Sequence, residues 1–532
     1  MMDINFDPYI WAKWHSFAIR TGGLLAVASS KVAFPVFWIL SWRKTQKIPP
    51  IDHDIFRISA KKLSLMIRNK EISCEEVITR YINRIIEVNK VLNAVVDERF
   101  QEALEEARII DEWLNTNALN VEEIEKRFPL LGIPVTVKEA CKVKGMIFSV
   151  GIRTREGMIA DSDGEAVRRL RSSGAIPLLV SNTPETCFGM ECDNLISGVC
   201  SNPYNTNYTC GGSSGGEGAL LGAGCSLIGL GSDVGGSIRI PSLFNGIFGH
   251  KPTSALVPIQ GHHPLVEDEK FSRYLVLGPM ARYAEDLRLM LSILAKEDIN
   301  VSEKVKMTDI TVFYLEDMNV NFVNPVDKCI RKALLKCVEH LGGRCQAKIS
   351  DTKFLELSET LDLSVMCFGD VGNKPDLLVD QNDPSIRYNF FSEVFKFFLN
   401  KSKLNYNSLL YNIFHTIQEL LFTQNTTYFQ QKVDEFKTKF TNALGDNGVF
   451  LYPTLHTSAF QHKATMFNVT GLAYTMAFNI FGFPSTHVPL GLNEKGLPIG
   501  IQVVANPNRD AVCLSVAEEL ERRFGGWIPP PS

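Results

Sequence analysis

The chain has 532 residues, and 45% of them are hydrophobic, so it is long enough to bury a large core as a folded protein. Its 55 basic and 59 acidic residues leave a formal net charge of −4, which excludes a broadly basic surface, and we therefore expect no nucleic-acid partner. The 12 cysteines include no C-x-x-C pair, so we predict no metal site.

The N-terminal region has the composition of a membrane segment. Residues 21–42 are largely apolar, long enough to span the core of a bilayer and flanked by basic residues. Lys31 near the middle costs roughly 2.5–3.5 kcal/mol on insertion scales, and Pro35 interrupts a regular helix, so a tilted span, an interfacial segment and a buried hairpin stay open. We predict a hydrophobic, transmembrane segment over residues 1–50, acting as a single-pass anchor, and one large domain over residues 51–532.

Helical and strand patterns alternate along this domain. Ser73 and Glu76 form a capping box ahead of a segment with apolar residues at helical spacing. The run LLGIPVTVKEA over residues 130–140 is apolar and β-branched, and it predicts a strand that carries Lys138 at its end. This alternation indicates an α/β protein.

Residues 210–250 have a very high density of glycine and serine. Such a composition is often that of a flexible linker. The apolar blocks ALLGAG, SLIGLG and IRIPSLFNGIFG within it would not stay exposed in a solvated linker. We therefore predict a buried, tightly packed core segment.

Two serines lie in glycine-flanked turns of this segment, Ser213 in GGSSGG and Ser237 in DVGGSIR. Glycine neighbours allow positive φ, and successive backbone N–H groups in such turns can form an anion-binding nest. An oxyanion hole requires this geometry. The predicted donors are the main-chain amides of Val234, Gly235, Gly236 and Ser237.

A serine hydroxyl becomes a nucleophile only when a base accepts its proton. Lys138 is a candidate for that base if burial within VTVKEA keeps its amine neutral, because desolvation disfavours the charged ammonium. Most lysines are instead solvated surface charges.

Two other motif interpretations are weaker. Residues 212–216 satisfy the G-x-S-x-G pattern of the α/β-hydrolase elbow, with Ser214 as nucleophile, but the polar segment SNPYNTNYTC before it is unlike the strand that an elbow needs. The glycines that follow Gly229 have the wrong spacing for a dinucleotide fingerprint, and no G-x-x-x-x-G-K-[ST] pattern exists. We therefore predict no nucleotide and no other cofactor.

Several blocks together are similar to the amidase signature family. GGSSGGEGALLGAG followed by GSDVGGSIRIPSLFNGIFGHKPT resembles the signature itself, and VTVKEA and GLPIGIQVVA resemble two further blocks. They lie between residues 130 and 505, so the resemblance covers most of the chain. It implies an amidase-signature fold, in which helices cover a large, mixed, twisted β-sheet core.

The resemblance also implies a Ser–cisSer–Lys triad. Ser237 matches the nucleophile that forms the acyl-enzyme, Ser213 the bridging serine on a cis peptide bond, and Lys138 the neutral base. An amide would then be hydrolysed through an acyl-enzyme on Ser237.

Other positions match supporting and substrate-binding residues of the family. Ser214, Asp233 and Arg239 match residues that support the catalytic loop. Cys187 and Phe188, in TPETCF, fall where the family lines its substrate channel. The phenylalanines between residues 390 and 398 are predicted to pack in a core, in preference to a membrane-facing cap or an acyl-channel wall.

Within the family, the hydrophobic N-terminus and RIPSLFNGIFGHKP look most similar to the type-2 fatty-acid amide hydrolases. This similarity implies hydrolysis of N-acylethanolamines and primary fatty amides such as oleamide, at an endomembrane or a lipid droplet, and it allows a homodimer. Three alternatives stay open: a short-chain amidase, the amidase component of a glutamyl-tRNA amidotransferase, and a non-catalytic scaffold that retains the fold.

Overall fold

The computed structural model describes residues 8–40, 42, 44–116, 119–265, 268–296, 300–372, 376–380, 383–399, 401–421 and 426–532. The strands, in chain order, are β1 (Val95–Glu98), β2 (Pro134–Lys138), β3 (Ile176–Ser181), β4 (Asp193–Asn194), β5 (Gly198–Val199), β6 (Ile228–Asp233), β7 (Phe248–Lys251), β8 (Val276–Ala281), β9 (Thr311–Tyr314), β10 (Lys348–Ile349), β11 (Gly448–Pro453), β12 (Ser485–Leu492) and β13 (Pro498–Ala505). The helices are α1 (Pro8–Leu40), α2 (Ala60–Arg68), α3 (Cys74–Leu92), α4 (Phe100–Thr116), α5 (Val121–Arg127), α6 (Glu165–Ser172), α7 (Gly215–Gly222), α8 (Arg239–Asn245), α9 (Glu269–Tyr274), α10 (Ala284–Leu294), α11 (Lys328–Gly343), α12 (Thr360–Gly369), α13 (Phe390–Phe398), α14 (Tyr406–Leu421), α15 (Thr427–Leu444), α16 (Thr465–Asn468), α17 (Ala473–Ile480) and α18 (Asp510–Phe524).

Within these ranges, eleven strands form one mixed sheet in the order β1-β3-β2-β6-β8-β7-β12-β13-β11-β9-β10. The strands β3, β2 and β6 run parallel, whereas β7, β12 and β13 pair antiparallel. Helices on the sheet bury a continuous apolar core that extends from α3 to α18. The α/β class and the large mixed sheet are therefore confirmed.

The central parallel strands bring Lys138 into the interior. Every residue of β2, β3 and β6 is buried, as in a sheet covered on both faces. Val137 in β2 pairs with Leu230 in β6. Because carboxyl ends of parallel strands meet at the same edge, Lys138 lies beside Ser232, near the end of β6.

The glycine-rich segment is a core segment, as predicted. It contains α7, β6, α8 and β7, and nearly all of its residues between 210 and 250 are buried. Asn245 of α8 donates to the carbonyl oxygen of Cys210 at 2.7 Å, which ties the end of this segment to its beginning. The two serine turns are held together by this packing.

The predicted helix start at Ser73 is confirmed with one difference. The Ser73 side chain accepts a hydrogen bond from the backbone N–H of Glu76 at 3.1 Å and caps α3. The Glu76 carboxylate pairs with Arg80 at 2.7 Å instead of closing the capping box, because an i,i+4 cation competes for it.

Helix α1 corrects the prediction of a transmembrane anchor. Within the described ranges, no helix is both long and apolar enough to cross a membrane. The helix includes Lys31 and a Gly–Gly and a Ser–Ser pair, which lower its apolar character. It also uses one face for protein contacts: Ala12 is buried, and Arg20 pairs with Asp362 at 2.7 Å. A face committed to such contacts does not face lipid.

Helix α13 corrects the expectation that its phenylalanines all pack in a core. Phe390 and Phe397 pack against a small cluster of buried leucines. The side chains of Phe391, Phe395 and Phe398 are 79%, 68% and 78% exposed. The helix is therefore amphipathic with an aromatic outer face, which a count of phenylalanines alone did not predict.

Candidate active site

Lys138 is fully buried at the end of β2. Its Nζ lies 2.7 Å from Ser213 Oγ and 2.9 Å from Ser232 Oγ. Within the described part of the chain its hydrogen bonds go to hydroxyl groups and none to a carboxylate.

The Ser213 turn lies directly against Lys138 and against the Ser237 turn. The Gly212–Ser213 peptide bond is cis, and Thr183 Oγ1 donates to the carbonyl oxygen of Ser213 at 2.9 Å. The backbone N–H of Ser214 donates to the carbonyl oxygen of Ser237 at 3.1 Å. The structure thus brings together Lys138, Ser213 and the chain segment of Ser237.

Ser237 is the partly exposed member of this group, whereas Lys138 and Ser213 are buried. Across the described ranges, Ser237 Oγ makes no hydrogen bond to protein. Hydrogen bonds therefore connect Lys138 to Ser213, and the final transfer between Ser213 and Ser237 stays a prediction.

Ser214 has the environment of a supporting residue, not that of the nucleophile in an α/β-hydrolase elbow. It is fully buried, and its Oγ donates to the carbonyl oxygen of Ser232 at 3.2 Å and accepts from the Ser232 N–H at 3.3 Å. The residues just before it are turns and bends, and none is in a strand. These contacts fasten the Ser213 turn to β6.

Asp233 and Arg239 form a buried ion pair beneath the Ser237 turn. Arg239 donates to both carboxylate oxygens of Asp233, each at 3.1 Å, and both side chains are fully buried. Burial would raise the pKa of Asp233, but the Arg239 charge and these hydrogen bonds hold the pKa well below its usual value. Asn479 and Gln502 accept from the remaining guanidinium N–H groups, at 2.6 and 2.9 Å.

The Asp233 carboxylate also shapes the predicted oxyanion hole. It accepts from the backbone N–H of Gly236 at 2.7 Å and of Ile238 at 3.1 Å. Gly236 has φ +126°, and a Cβ there would lie 2.5 Å from Thr475 Oγ1, so glycine is required. Of the four predicted donors, Gly236 therefore already has a partner. In the described residues, the amides of Val234, Gly235 and Ser237 have none.

Two residues that the sequence did not single out complete the Lys138 environment. Ser232 Oγ lies 2.9 Å from His262 Nε2, and His262 Nδ1 lies 3.1 Å from the carbonyl oxygen of Pro264. A carbonyl oxygen only accepts, so Nδ1 carries the proton and Nε2 is the acceptor. Burial lowers the pKa of His262 to about 3, which keeps the imidazole neutral.

This tautomer sets the direction of the whole chain of hydrogen bonds. Ser232 must donate its O–H to His262 Nε2, so it offers Lys138 only lone pairs. Lys138 then donates an N–H to Ser232. A neutral Lys138 keeps its own lone pair for Ser213.

Two buried carboxyl groups flank Lys138, and the sequence analysis missed both. Glu217 accepts from Thr136 Oγ1 at 2.6 Å, and burial raises its pKa to about 7. Glu139 accepts from the N–H and Oγ of Ser149 at 2.9 and 2.6 Å, and burial raises its pKa as well. Their positions inside VTVKEA and GGSSGGEGAL were the available signal.

The predicted channel residues lie near the Ser213 turn. Thr183 Oγ1, which donates to the Ser213 carbonyl oxygen, lies 3.5 Å from Cys187 Sγ, and Cys187 is partly exposed. Phe188 packs edge-on against Tyr411 of α14, with ring centroids 4.7 Å apart. The pair therefore connects the serine turn to α14, and its role in binding stays a prediction.

Comparisons with known proteins identify relatives of this chain. The Amidase family profile matches residues 76–514. Fatty-acid amide hydrolase 2 of Homo sapiens is 37% identical over 98% of this chain and 99% of its own length. A solved structure of a fatty acid amide hydrolase has a TM-score of 0.70 at 22% identity, covering 99% of this chain and 92% of its own.

The fold is shared more widely. The solved structure of 6-aminohexanoate cyclic dimer hydrolase has a TM-score of 0.68 at 21% identity, covering 90% of this chain and 99% of its own. Such an identity shows the fold alone, whereas the profile match and the near-complete alignment with the human protein show the family. The chain belongs to the amidase family of amide-hydrolysing enzymes, in a sequence group that includes fatty-acid amide hydrolase 2.

Proposed function

We propose that this enzyme hydrolyses fatty-acid amides, both N-acylethanolamines and primary fatty amides, to a free fatty acid and an amine. The observation that carries this proposal is the buried Lys138 amine, 2.7 Å from the hydroxyl of Ser213 and hydrogen-bonded to hydroxyl groups alone among the described residues. The full-length similarity to fatty-acid amide hydrolase 2 supports the substrate class.

In the proposed mechanism, the neutral Lys138 accepts a proton from Ser213, which accepts one from Ser237. The Ser237 alkoxide attacks the amide carbonyl, and the main-chain amides of Val234, Gly235 and Ser237 stabilise the developing oxyanion. The relay then returns the proton to the departing amine, because a neutral amine is the better leaving group. Water repeats these steps and releases the fatty acid.

His262 has a positioning role in this mechanism. Its acceptor nitrogen binds the Ser232 hydroxyl, which prevents that hydroxyl from donating to the Lys138 lone pair. Asp233 and Arg239 hold the Ser237 turn in place for the same reaction. Neither group contacts the scissile amide in this proposal.

The acyl chain would reach Ser237 past Cys187 and Phe188. These residues lie between the Ser213 turn and α14, and α14 contacts α13. The exposed phenylalanines of α13 provide an apolar surface at the outer end of this route. An apolar surface of this kind binds a long acyl chain, whereas a short-chain amide has little apolar area to place on it.

In this proposal, the protein attaches to the surface of a lipid layer. Helix α1 packs on the domain through one face and has an exposed apolar face on the other. Its exposed apolar residues are Trp14, Phe17, Leu24, Leu25, Val32, Val36 and Ile39. An interfacial helix buries such a face at the boundary between headgroups and acyl chains. An endomembrane or a lipid droplet supplies such a boundary, and the homodimer stays a prediction.

The test compares hydrolysis of oleamide and of butyramide by the purified protein and by Ser237→Ala. We expect turnover that favours oleamide and a fall in kcat/KM on the order of 10⁴-fold or more in Ser237→Ala, as for other serine nucleophiles. Ser214→Ala is the matched control, and we expect weaker but measurable turnover, because this hydroxyl supports the turn.

Other outcomes would each reject a specific part of the proposal. A preference for butyramide would keep the site and overturn the lipid substrate. Full activity in Ser237→Ala with loss in Ser214→Ala would restore the elbow interpretation. No turnover and no labelling by a fluorophosphonate probe would favour a non-catalytic scaffold.

A further inference from the structure

Three cysteines form a compact cluster directly behind the Ser213 turn. Cys192 precedes β4, Cys200 follows β5, and Cys210 leads into the turn. All three are fully buried, and their sulfur atoms lie within 4.8 Å of one another. No sequence motif indicated this group, because β4, β5 and the turn bring together residues that are eight or more positions apart.

The spacing of the three sulfurs suits trigonal coordination of one ion. With metal–sulfur bonds near 2.3 Å, three sulfurs around a common centre lie about 3.5–4 Å apart. Because the sulfurs lie within 4.8 Å of one another, each pair needs to close by at most about 1.3 Å. Among the residues that the structure describes, no fourth histidine, cysteine or carboxylate belongs to this group.

The charge of the three thiolates then indicates which ion the site can bind. Three thiolates carry three negative charges, and a monovalent or divalent ion would leave a net negative charge in a buried site. The charged groups that act on these thiols are acidic, Asp193 beside Cys192 and Glu191 near Cys210. The sulfurs of Cys200 and Cys210 also contact backbone carbonyl oxygens, those of Cys200, Ser201 and Gly211. A trivalent ion gives a neutral complex.

We propose that Cys192, Cys200 and Cys210 form a binding site for a trivalent, thiophilic ion, for which trivalent arsenic is the probe. Arsenous acid carries three hydroxyl groups. Three As–O bonds break, three As–S bonds form, and the three thiol protons leave with the hydroxides as three water molecules. The arsenic stays trivalent, so the reaction needs no oxidant and no reductant.

Occupancy of this site would disturb the catalytic turn. Gly211 and Gly212 alone separate Cys210 from Ser213. A Cβ added at Gly215 would lie 2.6 Å from Cys192 Cβ and 2.9 Å from Cys210 Sγ, so the cluster has no free space on the side of α7. A bound ion therefore shifts the Ser213 turn, and we expect hydrolysis to be lost as arsenic binds.

The test uses the full chain with sodium arsenite. After unbound arsenite is removed, elemental analysis should give one arsenic per chain. Unfolding in the presence of iodoacetamide, followed by peptide mass spectrometry, should show Cys192, Cys200 and Cys210 protected from alkylation and the other cysteines modified. Both readouts are independent of catalysis, so they stand even if the proposed substrate is wrong.

Single variants provide the second measurement. Cys192→Ala, Cys200→Ala and Cys210→Ala should each lose the stoichiometric arsenic, whereas Cys337→Ala, at a buried cysteine of α11, should retain it. If a variant fails to fold, the protection pattern of the wild-type chain decides. Absence of bound arsenic, or protection of another cysteine such as the partly exposed Cys187, would overturn the proposal.

Discussion

The direction of hydrogen bonds around Lys138 depends on a single backbone carbonyl. Pro264 fixes the tautomer of His262, His262 takes the Ser232 proton, and Ser232 can then only accept from Lys138. Without this series of hydrogen bonds, the Ser232 hydroxyl could rotate and donate to the Lys138 amine. A donor there competes with Ser213 for the one lone pair that the proposed mechanism uses.

His262→Phe tests this role. We expect kcat to fall by roughly 10–100-fold with little change in KM, as when a residue that orients a functional group is removed. His262→Gln retains an acceptor oxygen and should recover part of the loss. Steady-state hydrolysis of oleamide by the three proteins is the measurement.

A purely structural role for His262 predicts a different pattern. Both variants would then lose thermal stability in proportion to their loss of activity, and glutamine would not rescue kcat. Equal kcat values in all three proteins would show that Ser232 does not need this partner.

Among the helices, α1 and α13 share one property, an inner face packed on protein and an outer face that is apolar and exposed. Patches of this kind on a folded protein indicate an interaction with lipid or protein. Deleting α1 would be a poor test, because it would uncover Asp362, which is buried against Arg20. Single substitutions on the outer face of α13 leave the packing intact.

Phe395→Asp should weaken binding to phosphatidylcholine vesicles by about tenfold or more, since burial of a phenylalanine contributes roughly 1.5–3 kcal/mol. Vesicle co-sedimentation is the measurement. Ile109→Asp on α4 is the matched control, because Ile109 is 64% exposed and Phe395 68% exposed. Equal binding by both variants would show that α13 does not face the lipid.

Across the part of the molecule that the structure describes, several buried carboxyl groups accept hydrogen bonds but form no salt bridge. Burial raises the pKa of Glu185, Glu217, Asp286 and Glu521 to about 7. Each group holds a proton in the folded state at pH values where the unfolded chain has lost it. Its contribution to stability is therefore fully present below about pH 4 and is lost as pH rises through about 7.

Buried histidines change the stability with pH in the opposite direction. Burial lowers the pKa of His262 and His487 to about 3, so their contribution is present above the unfolded pKa of about 6.5 and is lost as pH falls. The stability of the wild type against pH is therefore a sum of opposing effects. The difference in the free energy of unfolding between the wild type and a variant isolates the contribution of one group.

Glu217→Gln isolates one carboxyl group, because glutamine resembles the protonated glutamate at every pH. Relative to wild type, we expect its free energy of unfolding to rise between pH 4 and 8, by about 1.4 kcal/mol for each unit by which folding raises the pKa. Urea denaturation across this range is the measurement. Glu102→Gln, at an exposed position of α4, should show no such trend, and a flat difference for Glu217→Gln would contradict the raised pKa.

Local patterns in the sequence were sufficient to predict the α/β class, the strand that ends at Lys138, and the two serine turns. These features depend on local chemistry: β-branched runs form buried strands, and glycine permits the positive φ of a tight turn. The buried nature of residues 210–250 also followed from composition, because apolar blocks do not stay in a solvated linker. The family followed from the same blocks.

The partners of these residues could be identified only from the folded chain. Ser232, His262 and Glu217 reach Lys138 across strand pairing and long loops, and the three cysteines meet through β4, β5 and the Ser213 turn. The surface position of α1 likewise could not be predicted from the local sequence, because a helix with one apolar face can cross a membrane, lie on it or pack on protein. Contacts between residues distant in the chain, such as Arg20 with Asp362, selected among these states.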